Sequence, residues 1–216
     1  MANSSYLCST DVASLYPSSQ VEGFDPQGGV VAHDVSGVPL LWLALFRPAD
    51  LVTGVFTVED EDEDDEDGAV EATAPLVAKE RALAQLDAAL PALNALFAAE
   101  GALDAHAALL RQAVERAPGG FVTIELDEIE AVWEEEDTFQ PALRTALACL
   151  DGGAEAAAGR ARLVELSRLR TGRPFPPARL LVDGLEAGED DYWNLVRLLG
   201  TSFAAEVPWE TAPSMG

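Results

Sequence analysis

Two histidines, one lysine and an unbroken run of acids are the residues whose type and spacing bear most directly on chemistry. His33 and His106 lie outside any zinc-binding spacing, and Asp34 directly after His33 makes a neighbouring pair, not a catalytic triad. The chain has no phosphate-binding glycine loop, and Lys79 falls within a helical pattern. Acids are so abundant that a pair of them would arise by chance. The sequence therefore predicts no catalytic residue and no cofactor.

The acidic run has part of the spacing of a calcium-binding loop. Asp60, Asp62 and Asp64 would occupy its first, third and fifth positions, and Glu71 its twelfth. However, Asp65 stands where such a loop needs a glycine for its sharp turn, and a strand is predicted where the loop needs an entering helix. We therefore expect weak cation condensation and no specific metal site.

The cysteines and the amino terminus bear on the cellular compartment. Cys8 and Cys149 are isolated in the sequence, which predicts buried free thiols and no disulfide framework. Residues 1–6 lack a basic region followed by an apolar stretch, so they do not resemble a secretory signal. The longest apolar stretch, Val38–Phe46, is about half as long as a membrane span. We expect a cytoplasmic protein that does not bind a membrane.

The charge balance favours a cationic partner. The 216 residues include 38 acidic and 13 basic ones, for a formal net charge of −25. Nine of the acids form the run Glu59 to Asp67; without them 29 acids and 13 bases remain, a net charge of −16. Such a surface repels nucleic acids and anionic membranes and attracts basic proteins. A basic protein, and no nucleic acid, is the expected partner.

One segment concentrates the acids of the predicted folded body. Residues 118–143 contain eight acids and no base. Near the carboxyl end, Trp209 follows Pro208, whose ring favours an extended path, so this indole is a candidate anchor for a partner. The predicted partner-binding residues are Glu128, Glu134, Glu135, Glu136, Asp137 and Trp209.

The arginines concentrate in a different segment. Residues 154–182 contain six arginines and two acids, a local net charge of +4. The six are Arg160, Arg162, Arg168, Arg170, Arg173 and Arg179. They are typical of a solvated helix face that balances nearby acids. The alternative is an anion-binding strip for phosphate or for the chain's own acidic run.

Hydrophobic patterns predict the elements that position these residues. Strands are expected over 4–9, 53–58, 121–126 and 179–182, and helices over 76–97, 103–116, 140–150, 154–170 and 189–199. Val38–Phe46 is predicted as a buried helix, with a buried strand as the alternative. Thr73 and Pro75 are typical of a helix start, Pro91 should kink or split the helix that follows, and Asp127 should cap a short helix.

These elements indicate an α+β fold, a mostly helical single domain over residues 1–216 with a small β-sheet. About six helices stand against three to five short strands. Mutual repulsion of nine like charges predicts an exposed acidic loop at 59–71, and an extended tail is expected at 206–216.

Three segments resemble a known group of bacterial proteins. These are Met1-Ala-Asn-Ser-Ser-Tyr-Leu7, the apolar stretch Val38–Phe46, and Tyr192-Trp193. They resemble an uncharacterised bacterial family whose members often begin Met-Ala-Asn-Arg-Ser-Tyr-Leu-Tyr; here Ser4 replaces the arginine and Cys8 the last tyrosine. That family is similar in size and acidity to immunity proteins, which neutralise bacterial toxins. The resemblance implies a toxin as partner and assigns no functional residue.

Three functions are compatible with these observations. The first is a non-catalytic acidic protein that neutralises a basic protein, most concretely a toxin-immunity protein. The second is an enzyme with an unrecognised carboxylate or metal-assisted site. The third is a DNA mimic, whose carboxylates imitate the spacing of phosphates. We expect the first because the charge excess is accompanied by no catalytic motif.

Overall fold

The computed structural model describes residues 3–15, 29–58, 68–133, 137–152, 156–178, 189–200 and 202–203. Within these ranges the strands are β1 Ser4–Thr10, β2 Val30–Val35, β3 Leu51–Val58, β4 Gly68–Ala78, β5 Phe121–Glu125 and β6 Ser202–Phe203. They form one sheet in the order β3-β4-β5-β1-β2-β6, and every neighbouring pair is antiparallel. The strand with the clearest sequence pattern, β5, therefore lies inside the sheet.

Seven helices are present in the described ranges. They are α1 Leu40–Leu43, α2 Lys79–Leu96, α3 Ala102–Arg116, α4 Asp127–Glu130, α5 Phe139–Ala148, α6 Ala156–Ser167 and α7 Glu189–Leu199. Short 3-10 turns cover Pro48–Asp50 and Cys149–Asp151. The predicted α+β single domain is confirmed, although its sheet has six strands instead of three to five.

The sheet has a core face and an outer face. In β5, Val122 and Ile124 are fully buried, whereas Thr123 and Glu125 between and after them are partly exposed. The buried strand residues belong to the same hydrophobic core as the helices. Because side chains alternate along a strand, the remaining residues of β5 lie on the other, outer face of the sheet.

Helix α1 lies at the centre of this core. All four of its residues are fully buried, and the Trp42 indole Nε1 donates a hydrogen bond to the Leu199 carbonyl at 2.9 Å. Gly200 ends α7 with φ of 102°, and a Cβ atom there would lie 2.7 Å from the Trp42 ring. The prediction of a buried helix is thus confirmed over a buried strand.

The predicted helix start at Thr73 and Pro75 is wrong. Strand β4 continues to Ala78, and α2 begins at Lys79. β4 pairs with β3 up to Pro75 and with β5 from Leu76 onward. Pro75 therefore lies where one ladder ends and the next begins, so its missing N–H removes little pairing. Pairing with two strands outweighs the local helix signal.

Three smaller predictions also differ from the structure. Asp127 is the first residue of α4 instead of its cap, which is Leu126. Helix α2 continues through Pro91, so of the predicted kink or split the split is wrong. In the predicted loop at 59–71, residues 68–71 belong to β4, whereas 59–67 lie outside the described ranges. The predicted strand at 179–182 and the tail at 206–216 also lie outside them.

Candidate partner-binding site

The end of β5 and helix α4 bring four acids together. Glu125 is the last residue of β5, and Asp127, Glu128 and Glu130 lie on the single turn of α4. We call these four residues the acidic corner. Strand alternation places Glu125 on the outer face, and the immediate turn into α4 brings Asp127 and Glu128 close enough to act on its charge. Only Glu128 of this group was among the predicted binding residues.

Burial and nearby like charges disfavour the ionised forms of Glu125, Asp127 and Glu130. Partial burial, followed by the charges of Asp127 and Glu128, raises the pKa of Glu125 from 4.5 to about 7. Burial also raises the pKa of Asp127. The pKa of Glu130 is raised by burial and by Asp127, against the opposing effect of a hydrogen bond from Gln140. Each of these shifts disfavours the ionised carboxylate, and burial is the largest cause of each.

Arginines elsewhere neutralise other acids. Of the described residues, the paired ones are Arg47–Asp151, Arg81–Asp50, Arg111–Asp87, Arg111–Glu115, Arg162–Glu165 and Arg197–Asp34. No member of the acidic corner forms an ion pair with a residue in the described ranges. Its carboxylates instead accept neutral hydrogen bonds: the Ser4 backbone N–H donates to Glu128 at 2.8 Å, and the Gln140 amide donates to Glu130 at 3.0 Å.

Apolar and aromatic side chains follow the acidic corner in the chain. Val132 is 48% exposed, so part of its aliphatic side chain faces solvent beside the acidic corner. Trp133 packs edge-to-face against Phe139 at 5.2 Å and donates a hydrogen bond from its indole to Thr138. The Arg168 guanidinium lies 5.9 Å from the Trp133 ring. Protein interfaces typically have an apolar centre surrounded by a polar or charged rim, and an exposed apolar residue flanked by charged ones matches this arrangement.

The predicted binding residues are only partly described. Glu128 and Asp137 are both exposed, and Asp137 adopts a φ of 63°, which redirects the chain before α5. Glu134, Glu135, Glu136 and Trp209 lie outside the described ranges.

The sequence did not single out Glu125, Asp127 or Glu130, although all three lie in the acid-rich segment 118–143. A signal for Glu125 existed, because the alternation of β5 places it with Phe121 and Thr123, away from the core residues.

The outer face next to Glu125 carries two further titratable residues. Tyr6 of β1 lies between Glu125 of β5 and His33 of β2 in the strand register. Its ring stacks on the His33 imidazole with the ring centres 5.0 Å apart. On the same strand, burial and then Glu125 raise the pKa of the Cys8 thiol to about 12. Cys8 is therefore a protonated, buried thiol and a poor nucleophile.

Neither histidine is part of a triad. Asp34 faces away from His33 and pairs with Arg197 at 2.7 Å, fully buried. His106 of α3 is fully buried, and the hydrogen bond between its Nδ1 and the Ala102 carbonyl is 2.9 Å long. Burial lowers the pKa of His106, so this imidazole is neutral at physiological pH.

The arginines of the segment 154–182 have different environments. Arg162 pairs with Glu165 on α6, as expected for a solvated face. Arg160 instead donates from Nε to the Leu96 carbonyl at 2.9 Å and lies 5.2 Å from the centre of the Phe97 ring. Arg160 and Arg173 line one cleft, and Arg179 lies outside the described ranges.

Comparisons with known proteins identify no relative of this chain. No protein-family model matches the chain, and no curated protein or solved structure matches it. Among the residues that the structure describes, no three acid, histidine or cysteine side chains are grouped so as to hold a metal ion. Across the same residues, every helix is too short or too polar to cross a membrane.

Proposed function

We propose that this protein is a non-catalytic binding protein that captures a basic protein partner through the acidic corner together with Val132 and Asp137. The most concrete partner is a bacterial toxin. Three segments of the chain resemble a bacterial family, and that family is similar in size and acidity to immunity proteins. In that case capture neutralises the toxin by covering its basic surface. The segment 134–136 supplies three further acids to the same stretch of chain.

The observation that carries this proposal is that no described residue forms an ion pair with the acidic corner. Six ion pairs neutralise acids elsewhere in the described ranges, whereas Glu125 is left with a pKa of about 7 beside two like charges. A cationic side chain placed there replaces repulsion with attraction. We expect the relief of this repulsion to favour binding.

Electrostatic attraction also predicts the kinetics of capture. Concentrated surface charge raises the association rate of an oppositely charged partner by about 10-fold to 1,000-fold, and added salt reduces the effect. The exposed Val132 supplies apolar area that is buried once the partner docks. We therefore expect capture that is fast at low salt and is retained by a small apolar contact.

The test is affinity capture from a lysate of the native host on three immobilised proteins. The first is the wild type, and the second carries Glu125→Gln, Asp127→Asn and Glu128→Gln. The third is a control with the same change in net charge, made at exposed acids that form no hydrogen bond or ion pair with a described residue: Asp11→Asn, Glu71→Gln and Glu80→Gln. Mass spectrometry identifies what each protein retains, and surface plasmon resonance then measures association rates.

The expected result is a basic protein retained by the wild type and by the control but lost from the acidic-corner variant. With the identified partner, the variant should associate about tenfold more slowly at low salt. Capture unaffected by salt up to about 0.5 M, or reduced equally by both variants, would contradict a role for the corner. A partner that duplex DNA displaces competitively would instead indicate a DNA mimic.

Capture should also be linked to proton release. Near pH 7 Glu125 is about half protonated, and a cationic partner favours its ionised form. Binding at neutral pH should therefore release about half a proton for this residue. Calorimetry in two buffers of different ionisation enthalpy measures the number, and Glu125→Gln should abolish it.

A further inference from the structure

A cleft that the acidic corner does not share lies between α2, α3 and α6. It is formed by the connection from α2 to α3, by Arg160 of α6 and by the segment 172–175 that follows α6. Its volume is about 470 Å³, within the range of about 300–1,000 Å³ that small-molecule sites occupy. We call it the arginine–phenylalanine cleft, after the lining residues Phe97, Arg160, Arg173 and Phe175.

We infer that the arginine–phenylalanine cleft binds a small aromatic carboxylate. The cleft is lined by two apolar rings and two guanidinium groups in a protein that is otherwise strongly acidic. Phe97 and Phe175 meet edge-to-face with their ring centres 5.9 Å apart, and both rings line the space in which a flat ligand would lie. Arginine is the side chain best suited to a carboxylate, because its planar fork can donate two parallel hydrogen bonds.

Arg160 is already positioned for such a ligand. Its Nε donates to the Leu96 carbonyl, and its guanidinium lies over Phe97. In the described part of the chain, no group accepts a hydrogen bond from its two terminal nitrogens. A guanidinium fixed at one end loses little side-chain entropy when a carboxylate binds the other end. The contacts thus preorganise the donors of the cleft.

The charge of the lining selects the class of anion. Glu100 lines the same cleft as Arg160 and Arg173, so the net positive charge of the lining is small. Glu100 repels every anion, and this repulsion is larger for a dianion such as phosphate than for a single carboxylate. The phenylalanines in turn favour an aromatic body over a simple acid such as acetate. One negative charge on a flat ring system fits all of these contacts.

The experiment titrates the full-length protein with four probes and follows backbone amides by NMR. The probes are 2-naphthoate, the neutral 2-naphthamide, acetate and inorganic phosphate. Naphthoate should bind at least about tenfold more tightly than the other three, since a charge-assisted pair and ring burial each contribute about tenfold or more. The amides that shift should include those of Phe97, Ala102 and Phe175.

Variants separate a binding role from a structural one. Arg173→Gln should weaken naphthoate binding about tenfold. Arg160→Gln should do the same, and Arg160→Lys, which keeps the charge and loses the planar fork, should recover only part of it. Arg162→Gln is the matched control, because Arg162 lies on the same helix, is exposed and pairs with Glu165.

Two kinds of result overturn the inference. The first is naphthoate binding no tighter than naphthamide or phosphate, which would show that neither the carboxylate nor its single charge determines binding. The second is equal weakening of naphthoate binding by Arg162→Gln and Arg173→Gln, which would show that the ligand does not bind in the cleft. Thermal unfolding of each variant shows whether a loss of binding reflects a loss of fold, and Arg173→Gln lies outside every helix and strand. Failure here leaves the capture experiment untouched, because no residue is shared.

Discussion

Replacing Glu125 by glutamine should stabilise the folded protein at neutral pH. The difference between the usual pKa of 4.5 and the folded value of about 7 corresponds to about 3.4 kcal/mol for the ionised form. Glu125 is partly exposed, so solvent screening reduces this to about 2 kcal/mol. Glutamine has the same shape and no charge, so the variant should gain about 2 kcal/mol in the free energy of unfolding at pH 8.

The sign of the pH dependence follows from the raised pKa. The folded chain binds the Glu125 proton more tightly than the unfolded chain does, so the associated stability is fully present below about pH 4.5. It is lost as the pH rises through the folded-state value of about 7. The wild type and Glu125→Gln should therefore have nearly equal stability at low pH and diverge as the pH increases. The raised pKa values of Asp127 and Glu130 act in the same direction.

The assay is urea unfolding, followed by tryptophan fluorescence, at several values between about pH 4.5 and pH 8. Glu100→Gln is the control: this acid is exposed, and its replacement should change stability by less than about 0.5 kcal/mol at every pH. A Glu125→Gln curve that runs parallel to the wild type across this range would refute the electrostatic account of the acidic corner. It would also remove the main support for the proposed partner surface.

Three further predictions concern the core and its thiols. Gly159→Ala should destabilise the protein by about 1–3 kcal/mol in urea unfolding, because the new Cβ would lie 2.2 Å from the Cβ of Cys149; an unchanged or higher stability would contradict this packing. Asp34→Asn should cost about 3 kcal/mol, since it leaves the nearly buried Arg197 without its charged partner; thermal unfolding measures this, and a loss under 1 kcal/mol would count against it. The Cys8 and Cys149 thiols, whose pKa values burial raises to about 12 and about 11, should resist a disulfide reagent at about pH 8 until denaturant is added, and rapid native labelling would disagree.

Local hydrophobic patterns were sufficient to predict an element wherever the burial of its own residues determines its conformation. The alternation in Phe121–Glu125 and the apolar run around Leu40–Leu43 predicted a strand and a buried helix, and both are present. Burial was also predicted correctly for both cysteines. The segment from Thr73 to Ala78 was predicted wrongly because its conformation depends on pairing with β3 and β5, which are far away in sequence.

By itself the sequence determined the α+β class, the excess of negative charge and the segment in which the acids of the folded body concentrate. Those properties follow from composition and from periodicity over a few residues. Only the tertiary structure decided which acids have no ion-pair partner among the described residues and which arginines meet in a cleft. Glu125 and Arg160 depend on neighbours from distant parts of the chain, and the free energy of a charge is set by everything packed around it.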